Sequence, residues 1–217
     1  MNLHQFHELF KQQICLLPEK CLFWPAKGML IIADVHLGKV MHFRKAGIPV
    51  PTALIKRDLT ALKKVILDWN PSRVIFLGDL FHSHLNAEWH LFEAFLEQFP
   101  TCSFELVLGN HDAYSADFMQ AKLSVYQEHL VIDPFVFTHI PLELHEIPEG
   151  AYNLSGHVHP SVKLVGQGRQ QLQLPCFYFG EKQGILPAFG AFTGFVPIQV
   201  GKGDTVFPIA EGRVMQV

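Results

Sequence analysis

The sequence of 217 residues has few charged residues, few cysteines and no excess of positive charge. Charged residues make up 17%, and the formal net charge is −3, so no overall basic field attracts nucleic acid. Any nucleic-acid contact must therefore come from a local patch. The four cysteines contain no CxxC pair and accompany no histidine with metal-site spacing. This pattern favours reduced, mostly buried cysteines in a reducing cytosol.

Long hydrophobic runs are also missing. The apolar stretch from Ile14 to Ala33 is interrupted by Glu19, Lys20 and Lys27 and by prolines, which argues against a membrane span. The N-terminus lacks a basic start followed by an apolar core, so it does not resemble a signal peptide. We expect a soluble, cytoplasmic protein without membrane contact, folded as one domain over residues 1–217, a usual length for an α/β domain.

Hydrophobic periodicity predicts an α/β fold. Apolar runs at 29–33, 73–77 and 104–108 indicate buried strands, and amphipathic patterns at 52–68 and 87–99 indicate helices between them. This alternation predicts a parallel half-sheet covered by helices. Short strands broken by Gly and Pro predict an antiparallel second half. We expect a four-layer αββα sandwich of two mixed sheets flanked by helices, preceded by a short helix at 4–11 and a hairpin at 14–24.

Residues of metal-ligand type stand at the ends of five apolar runs: LIIADVH, VIFLGDLFH, ELVLGNHD, FVFTH and YNLSGHVH. Open sheets bind ligands at the carboxyl ends of their strands, so these side chains should meet at one edge. Side chains two apart in a strand share a face, so Asp34 and His36 could hold one cation. The candidate ligands are Asp34, His36, Asp79, Asn110, His139, His157 and His159.

The chemistry of these residue types favours two transition-metal ions. Asp, His and Asn ligands without thiolates suit Mn, Fe, Zn or Ni better than Ca or Mg. The carboxylate of Asp79 has two oxygens and can bridge two ions, and centres ~3.5–4 Å apart serve phosphoryl transfer. His111, followed by Asp112, indicates an imidazole acid for the leaving group. Each motif alone also fits ordinary turn chemistry, with Asp112 as a helix cap, but their joint occurrence favours a metal site.

In this order the motifs resemble those of the calcineurin-like binuclear metallophosphoesterase superfamily. The stretches LGKVMHFRKAGIPVP, GDLFHSHLNAEW and LPAFGAFTG are also similar to the bacterial ligase-associated phosphoesterases called the PdeM group. The resemblance implies two divalent ions, manganese first, with iron, zinc or nickel as alternatives. It implies the following roles: Asp34, His36 and His159 bind one ion, Asn110, His139 and His157 bind the other, Asp79 bridges them, His111 lies over the substrate phosphate, and Asp112 orients His111.

Two further residues are candidates for substrate binding. Arg44 follows the first motif, and its guanidinium suits phosphate oxygens, although a solvated loop residue is the alternative. His82 ends a GDLFH stretch similar to one in SbcD-type nucleases, and a capping or surface histidine is the alternative. The segment 190–195 could stack a base but fits a buried turn cluster better. The apolar segment 189–196 fits either a homodimer surface or a core.

Three functions remain open at this point. The first is a two-metal phosphodiesterase, a DNA endonuclease or end-processing enzyme acting beside a DNA ligase, a helicase and an exonuclease in repair, as the narrower resemblance implies. The second is a small-molecule phosphodiesterase or phosphomonoesterase that acts on nucleotides, including cyclic ones. The third is a non-catalytic metal-binding scaffold, against which the complete ligand set and His111 argue.

Overall fold

The computed structural model describes residues 3–39, 47, 57–82, 87–112, 119–166 and 171–217. Two α-helices, one short 3-10 helix (Pro25–Lys27) and sixteen strands lie within these ranges. The helices are α1 (Arg57–Trp69) and α2 (Ala87–Leu96). The strands are β1 (Gln5–Leu9), β2 (Gln12–Leu16), β3 (Cys21–Trp24), β4 (Met29–Ala33), β5 (Arg73–Leu77), β6 (Ser103–Val107), β7 (Ser124–Tyr126), β8 (His129–Ile132), β9 (Phe135–Thr138), β10 (Tyr152–Ser155), β11 (Pro160–Val165), β12 (Gln171–Phe179), β13 (Gln183–Ile185), β14 (Val196–Pro197), β15 (Thr205–Ala210) and β16 (Arg213–Val214).

The first sheet has the strand order β1-β2-β3-β4-β5-β6-β7. Neighbouring strands from β1 to β4 are antiparallel, and those from β4 to β7 are parallel. The inner strand β4 is buried along its whole length, as its unbroken apolar run predicts. Helices α1 and α2 cover one face of this sheet with Leu62, Val65, Phe92 and other apolar side chains. The predicted parallel half-sheet with covering helices is confirmed.

The second sheet has the order β14-β11-β12-β13-β10-β9-β8, with β15 beside β12 and β16 beside β15. It is mixed, because β10 runs parallel to both β9 and β13 while β12 runs antiparallel to its neighbours. The two sheets face each other across a core that includes Ile31 and Ile75 from one side and Phe137, Leu154 and Phe177 from the other. The two-sheet α/β sandwich is confirmed. In the described part of the chain, both helices cover the first sheet.

Three local predictions need correction. Residues 4–11 do not form a helix: β1 pairs with β2 through a turn at Phe10 and Lys11, whose φ angles are 50° and 60°. The strand expected at 131–139 is two antiparallel strands, β8 and β9. The helix expected at 87–99 ends at Leu96. The hairpin formed by β2 and β3 is confirmed by the pairing of Cys15 with Phe23. No described helix is long and apolar enough to cross a membrane.

The ends of β4, β5, β6, β9 and β10 deliver all five motifs to neighbouring loops. Within each sheet these strands are parallel, so their carboxyl ends point the same way. Backbone hydrogen bonds join the loops: the N–H of Asp34 donates to the carbonyl of Gly78 over 3.3 Å, and the N–H of Gly156 donates to the carbonyl of His139 over 3.0 Å. The motifs are thus held together by backbone before any side chain is considered.

Candidate metal site

The backbone of the motif loops is unusual for residues other than glycine. Asp34, His36, Asp79, His157 and His159 all have positive φ angles, from 49° to 66°. This left-handed region is sparsely populated by such residues and clusters at functional sites. The expectation that Asp34 and His36 face one side of a strand is wrong, because β4 ends at Ala33. Instead, the left-handed backbone at Asp34 and His36 directs both side chains toward the same group of ligand-type atoms.

The Asp34 group consists of Asp34, His36 and His159. Each residue offers one ligand-type atom, and these atoms lie within 4.8 Å of one another. The Oδ1 of Asp34 is 3.4 Å from the Nε2 of His159. Among the described residues, Asp34 Oδ1 and His36 Nδ1 are buried without a hydrogen-bond partner. Buried polar atoms are normally paired, so this carboxylate oxygen and its imidazole neighbours fit a bound cation.

The Asp79 group consists of Asp79, His139 and His157, whose ligand-type atoms also lie within 4.8 Å of one another. The ring of His139 is oriented by a 3.0 Å contact between its Nδ1 and the carbonyl of Leu77. Its Nε2 then lies 3.1 Å from the Nδ1 of His157. Gly78 is required here, because a Cβ at that position would lie 2.2 Å from Nδ1 of His139.

The carboxylate of Asp79 faces both groups. Its Oδ2 is 3.8 Å from the Nε2 of His36, and its Oδ1 is 3.5 Å from the Nε2 of His139. Oδ1 also accepts a 3.0 Å hydrogen bond from the backbone N–H of His111. A carboxylate whose two oxygens face separate ligand groups can bridge two ions. Asp79 has this arrangement.

One histidine in each group has a lowered pKa. Desolvation is the main cause that lowers the pKa of His36 to about 2, and the positive charges of Lys39 and of neighbouring histidines lower it further. The pKa of His157 is also lowered, first by burial and then by the charge of His139. Metal binding requires the unprotonated imidazole, so these shifts remove competition from protons at neutral pH.

A family model decides the relationship of this chain to known proteins. The model described as calcineurin-like phosphoesterase matches residues 29–157, which include the first four motifs and the fifth as far as His157. The chain belongs to the calcineurin-like phosphoesterase family. Members of this family use a divalent metal pair, and the Asp34 and Asp79 groups lie where the motifs place such a pair. The protein is a metal-dependent phosphoesterase.

Three solved structures are similar to this chain to different degrees. Nuclease MPE from Pseudomonas putida is 28% identical, with a TM-score of 0.81 over 99% of this chain and 100% of MPE. AQ665, a protein of unknown function from Aquifex aeolicus, is 19% identical, with a TM-score of 0.44 over 60% of this chain and 78% of its own. The phosphoesterase Yfce from E. coli is 12% identical, with a TM-score of 0.46 over 87% of this chain and 97% of its own. No curated protein matches the sequence significantly.

The neighbouring residues His111 and Asp112 have different surroundings in this phosphoesterase. The His111 side chain is 46% exposed, and its Nε2 is 3.9 Å from the Oδ2 of Asp79. Asp112 is fully buried, and its carboxylate accepts hydrogen bonds from the backbone N–H groups of Leu80, Phe81 and Gly109 at 3.0–3.3 Å. Burial is the main cause that raises the pKa of Asp112 to about 6. Asp112 therefore connects two motif loops, in place of the predicted contact with the imidazole of His111.

Other predicted site residues have different outcomes. His82 lies beside the groups, with its ring centroid 5.6 Å from that of His36 and 5.3 Å from that of His111. Its backbone N–H donates to the carbonyl of Leu37 over 2.9 Å, which brings it there. Asn110 is exposed and lines a cavity together with His139. Arg44 lies outside the described residues.

One neighbour of the site was not predicted from the sequence. The segment after β13 runs beside the first motif: the N–H of Gly190 donates to the carbonyl of Asp34 over 3.1 Å. A Cβ at Gly190 would lie 2.5 Å from the carbonyl oxygen of Val35, so glycine permits the approach. Beyond it, Phe195 is 42% exposed, with the Nζ of Lys20 6.0 Å from its ring centroid. The glycines of the stretch GAFTG were the available signal.

Proposed function

We propose that this phosphoesterase is a two-metal phosphodiesterase that cleaves nucleic-acid strands. The observation that carries the proposal is the position of the Asp79 carboxylate. Its Oδ2 faces His36 of the Asp34 group, and its Oδ1 faces His139 of the Asp79 group. We assign one ion to Asp34, His36 and His159, the other to Asn110, His139 and His157, and Asp79 to both. Manganese is the expected metal, with iron, zinc or nickel as alternatives.

The bound ions would supply an activated water and neutralise charge on the phosphate oxygens. The chain itself supplies the proton donor and the shape of the cleft. His111 is exposed at the mouth of the site, and the 3.0 Å bond from its backbone N–H to Asp79 ties it to the carboxylate between the two groups. We assign His111 to protonation of the leaving oxygen. His82, next to it, and Arg44 are proposed to contact the substrate.

A nucleic-acid substrate is supported by similarity over 99% of the chain to a protein described as a nuclease. Cyclic or mononucleotide esters are the second candidate, because the net charge of −3 supplies no general attraction for a polyanion. Action beside a DNA ligase, a helicase and an exonuclease in repair remains a proposal, as do the cytoplasmic location, a single domain over residues 1–217 and a homodimer.

A substrate panel tests the main proposal. The protein is loaded with Mn²⁺ and incubated with single-stranded, flapped and duplex DNA, with cyclic nucleotides and with nucleoside monophosphates. We expect the highest kcat/KM on a DNA substrate. Faster turnover of cyclic nucleotides would favour the second candidate, and hydrolysis of monoesters alone would refute phosphodiester cleavage.

The role of His111 is tested separately with bis(p-nitrophenyl) phosphate. His111→Ala should lower kcat by about 100-fold, the range that one general acid contributes. His145→Ala, an exposed histidine on another loop, is the matched control and should retain full activity. If His111→Ala remains fully active, the assignment of the proton donor is wrong.

A further inference from the structure

A cavity of about 400 Å³ opens directly beside the Asp79 group. Asn110 and His139 form the part of its wall nearest to the candidate metals, and Gln127, Glu128, Ile140 and Leu142 line the remainder. Sites of this kind for small ligands measure ~300–1,000 Å³. The cavity therefore has room for a substrate group bonded directly to the reacting phosphate.

Hydrogen bonds hold one wall of the cavity in place. The buried side chain of Asn153 accepts from the backbone N–H of Leu142 over 3.0 Å and donates to the Oγ1 of Thr138 over 2.8 Å. That hydroxyl donates to the carbonyl of Ile140 over 2.7 Å. The Nε2 of Gln183 donates to the carbonyl of Leu142 over 2.9 Å. Residues 138–142 are thus held at several points, so the cavity is largely formed before a ligand arrives.

The opposite wall is attached to the third motif. The backbone N–H of Leu108 donates to the carbonyl of Tyr126 over 2.9 Å, which places the turn with Gln127 and Glu128 beside Asn110. Any group in the cavity is consequently close to Asn110 and His139.

The chemistry of the lining selects against a second phosphate. None of the described residues that line the cavity is positively charged, and Glu128 contributes a carboxylate. Ile140 and Leu142 offer apolar contact for a flat ring. The amide of Gln127 offers donors and an acceptor, and the amide nitrogen of Asn110, whose oxygen is assigned to a metal, offers donors. Apolar walls with a few amide groups suit a nucleobase and its sugar.

We propose that this cavity binds the nucleoside attached to the scissile phosphate, with Ile140 and Gln127 as specificity-determining residues. The inference rests on the proposed phosphodiesterase function and adds to it a defined subsite on the side of the Asp79 group.

Two diesters separate the cavity from the chemistry. Thymidine 5′-(p-nitrophenyl phosphate) carries a nucleoside, and bis(p-nitrophenyl) phosphate carries none. Ile140→Trp fills the cavity from a half-exposed position. It should lower by about tenfold the ratio of kcat/KM for the thymidine ester to kcat/KM for bis(p-nitrophenyl) phosphate. Leu67→Trp, at an exposed site on α1, is the matched control and should leave the ratio unchanged.

A smaller change and a binding measurement complete the test. Gln127→Ala, on the opposite wall, should lower the same ratio without adding volume. Saturation-transfer NMR of thymidine with the metal-free protein should detect binding that Ile140→Trp abolishes. An unchanged ratio in both variants, or no preference of the wild type for the nucleoside ester, overturns the subsite.

Failure of the proposed function gives a different result. If the Mn²⁺-loaded wild type hydrolyses neither diester, the phosphodiesterase proposal fails. Thymidine binding alone then decides whether the cavity is a nucleoside site. Binding that Ile140→Trp abolishes then supports a nucleoside site, and absence of binding refutes it.

Discussion

The Asp34 group and the Asp79 group have similar ligand chemistry but different surroundings. In the Asp34 group, Asp34 and His36 are 0% and 5% exposed, and the side chain of His159 is 17% exposed. In the Asp79 group, Asp79 and His139 are buried, whereas His157 is exposed and the cavity lies alongside. One group is enclosed, and the other opens to solvent.

Their internal contacts differ in the same way. Among the described residues, the enclosed group has buried polar atoms without hydrogen-bond partners. In the open group, His139 is already oriented by Leu77 and lies within hydrogen-bond distance of His157. From this difference we expect the Asp34 group to retain an ion and the Asp79 group to admit a substrate. Three comparisons, ordered by expected effect, test this division.

The largest effect should come from the residue that both groups share. Asp79→Asn leaves one charged oxygen fewer between the groups and should lower hydrolysis of bis(p-nitrophenyl) phosphate by about 100-fold or more. Elemental analysis should find fewer than two ions per chain. Asp68→Asn, an exposed carboxylate on α1, is the matched control. A variant that still holds two ions with normal affinity contradicts the bridge.

A second comparison separates the enclosed group from the open one. His36→Ala removes a buried ring that contacts His82, His111 and His159, and should lower the free energy of unfolding of the metal-free protein by about 1–3 kcal/mol. His157→Ala removes an exposed ring and should leave the unfolding midpoint close to that of the wild type.

The same pair is then titrated with Mn²⁺. Excess metal should restore activity to His157→Ala, whose site solvent can reach, and should not restore it to His36→Ala. Equal losses of stability, or rescue of His36→Ala alone, would show that the two groups do not differ as proposed.

A smaller effect than that of Asp79→Asn should come from Asp112, which connects the second and third motif loops. Asp112→Asn replaces an acceptor of three backbone N–H groups by an amide with one carbonyl oxygen. The free energy of unfolding should fall by about 1–3 kcal/mol, because buried N–H groups lose their partner. Urea unfolding measures this loss. Unchanged stability would mean that these bonds contribute little.

The ends of the buried strands could be read from the sequence because buried strands are continuous apolar runs. Each strand ends one to three residues before a ligand-type residue, as Ala33 directly precedes Asp34 and Leu77 lies two residues before Asp79. Parallel pairing within each sheet then brings the ends together. This logic is local and needs no knowledge of side-chain contacts.

Other features were beyond local reasoning. The segment 4–11 became a strand because β2 offered an edge to pair with, and its alternating burial suits a sheet. Asp112 could not be distinguished from a partner of His111, because its hydrogen-bond donors are backbone N–H groups 31 and 32 residues earlier in the chain as well as a local one. The cavity wall at 138–142 depends on Asn153 and Gln183, which carry no motif.

The sequence by itself determined which residues are candidates for the chemistry, since ligand type and position after an apolar run are local properties. Only the tertiary structure decided how those residues are divided into an enclosed and an open group. That division depends on left-handed turns at Asp34 and Asp79, on glycines that let loops approach, and on contacts between distant segments. Such contacts exist only after both sheets have packed together, because burial and loop proximity are properties of the folded chain.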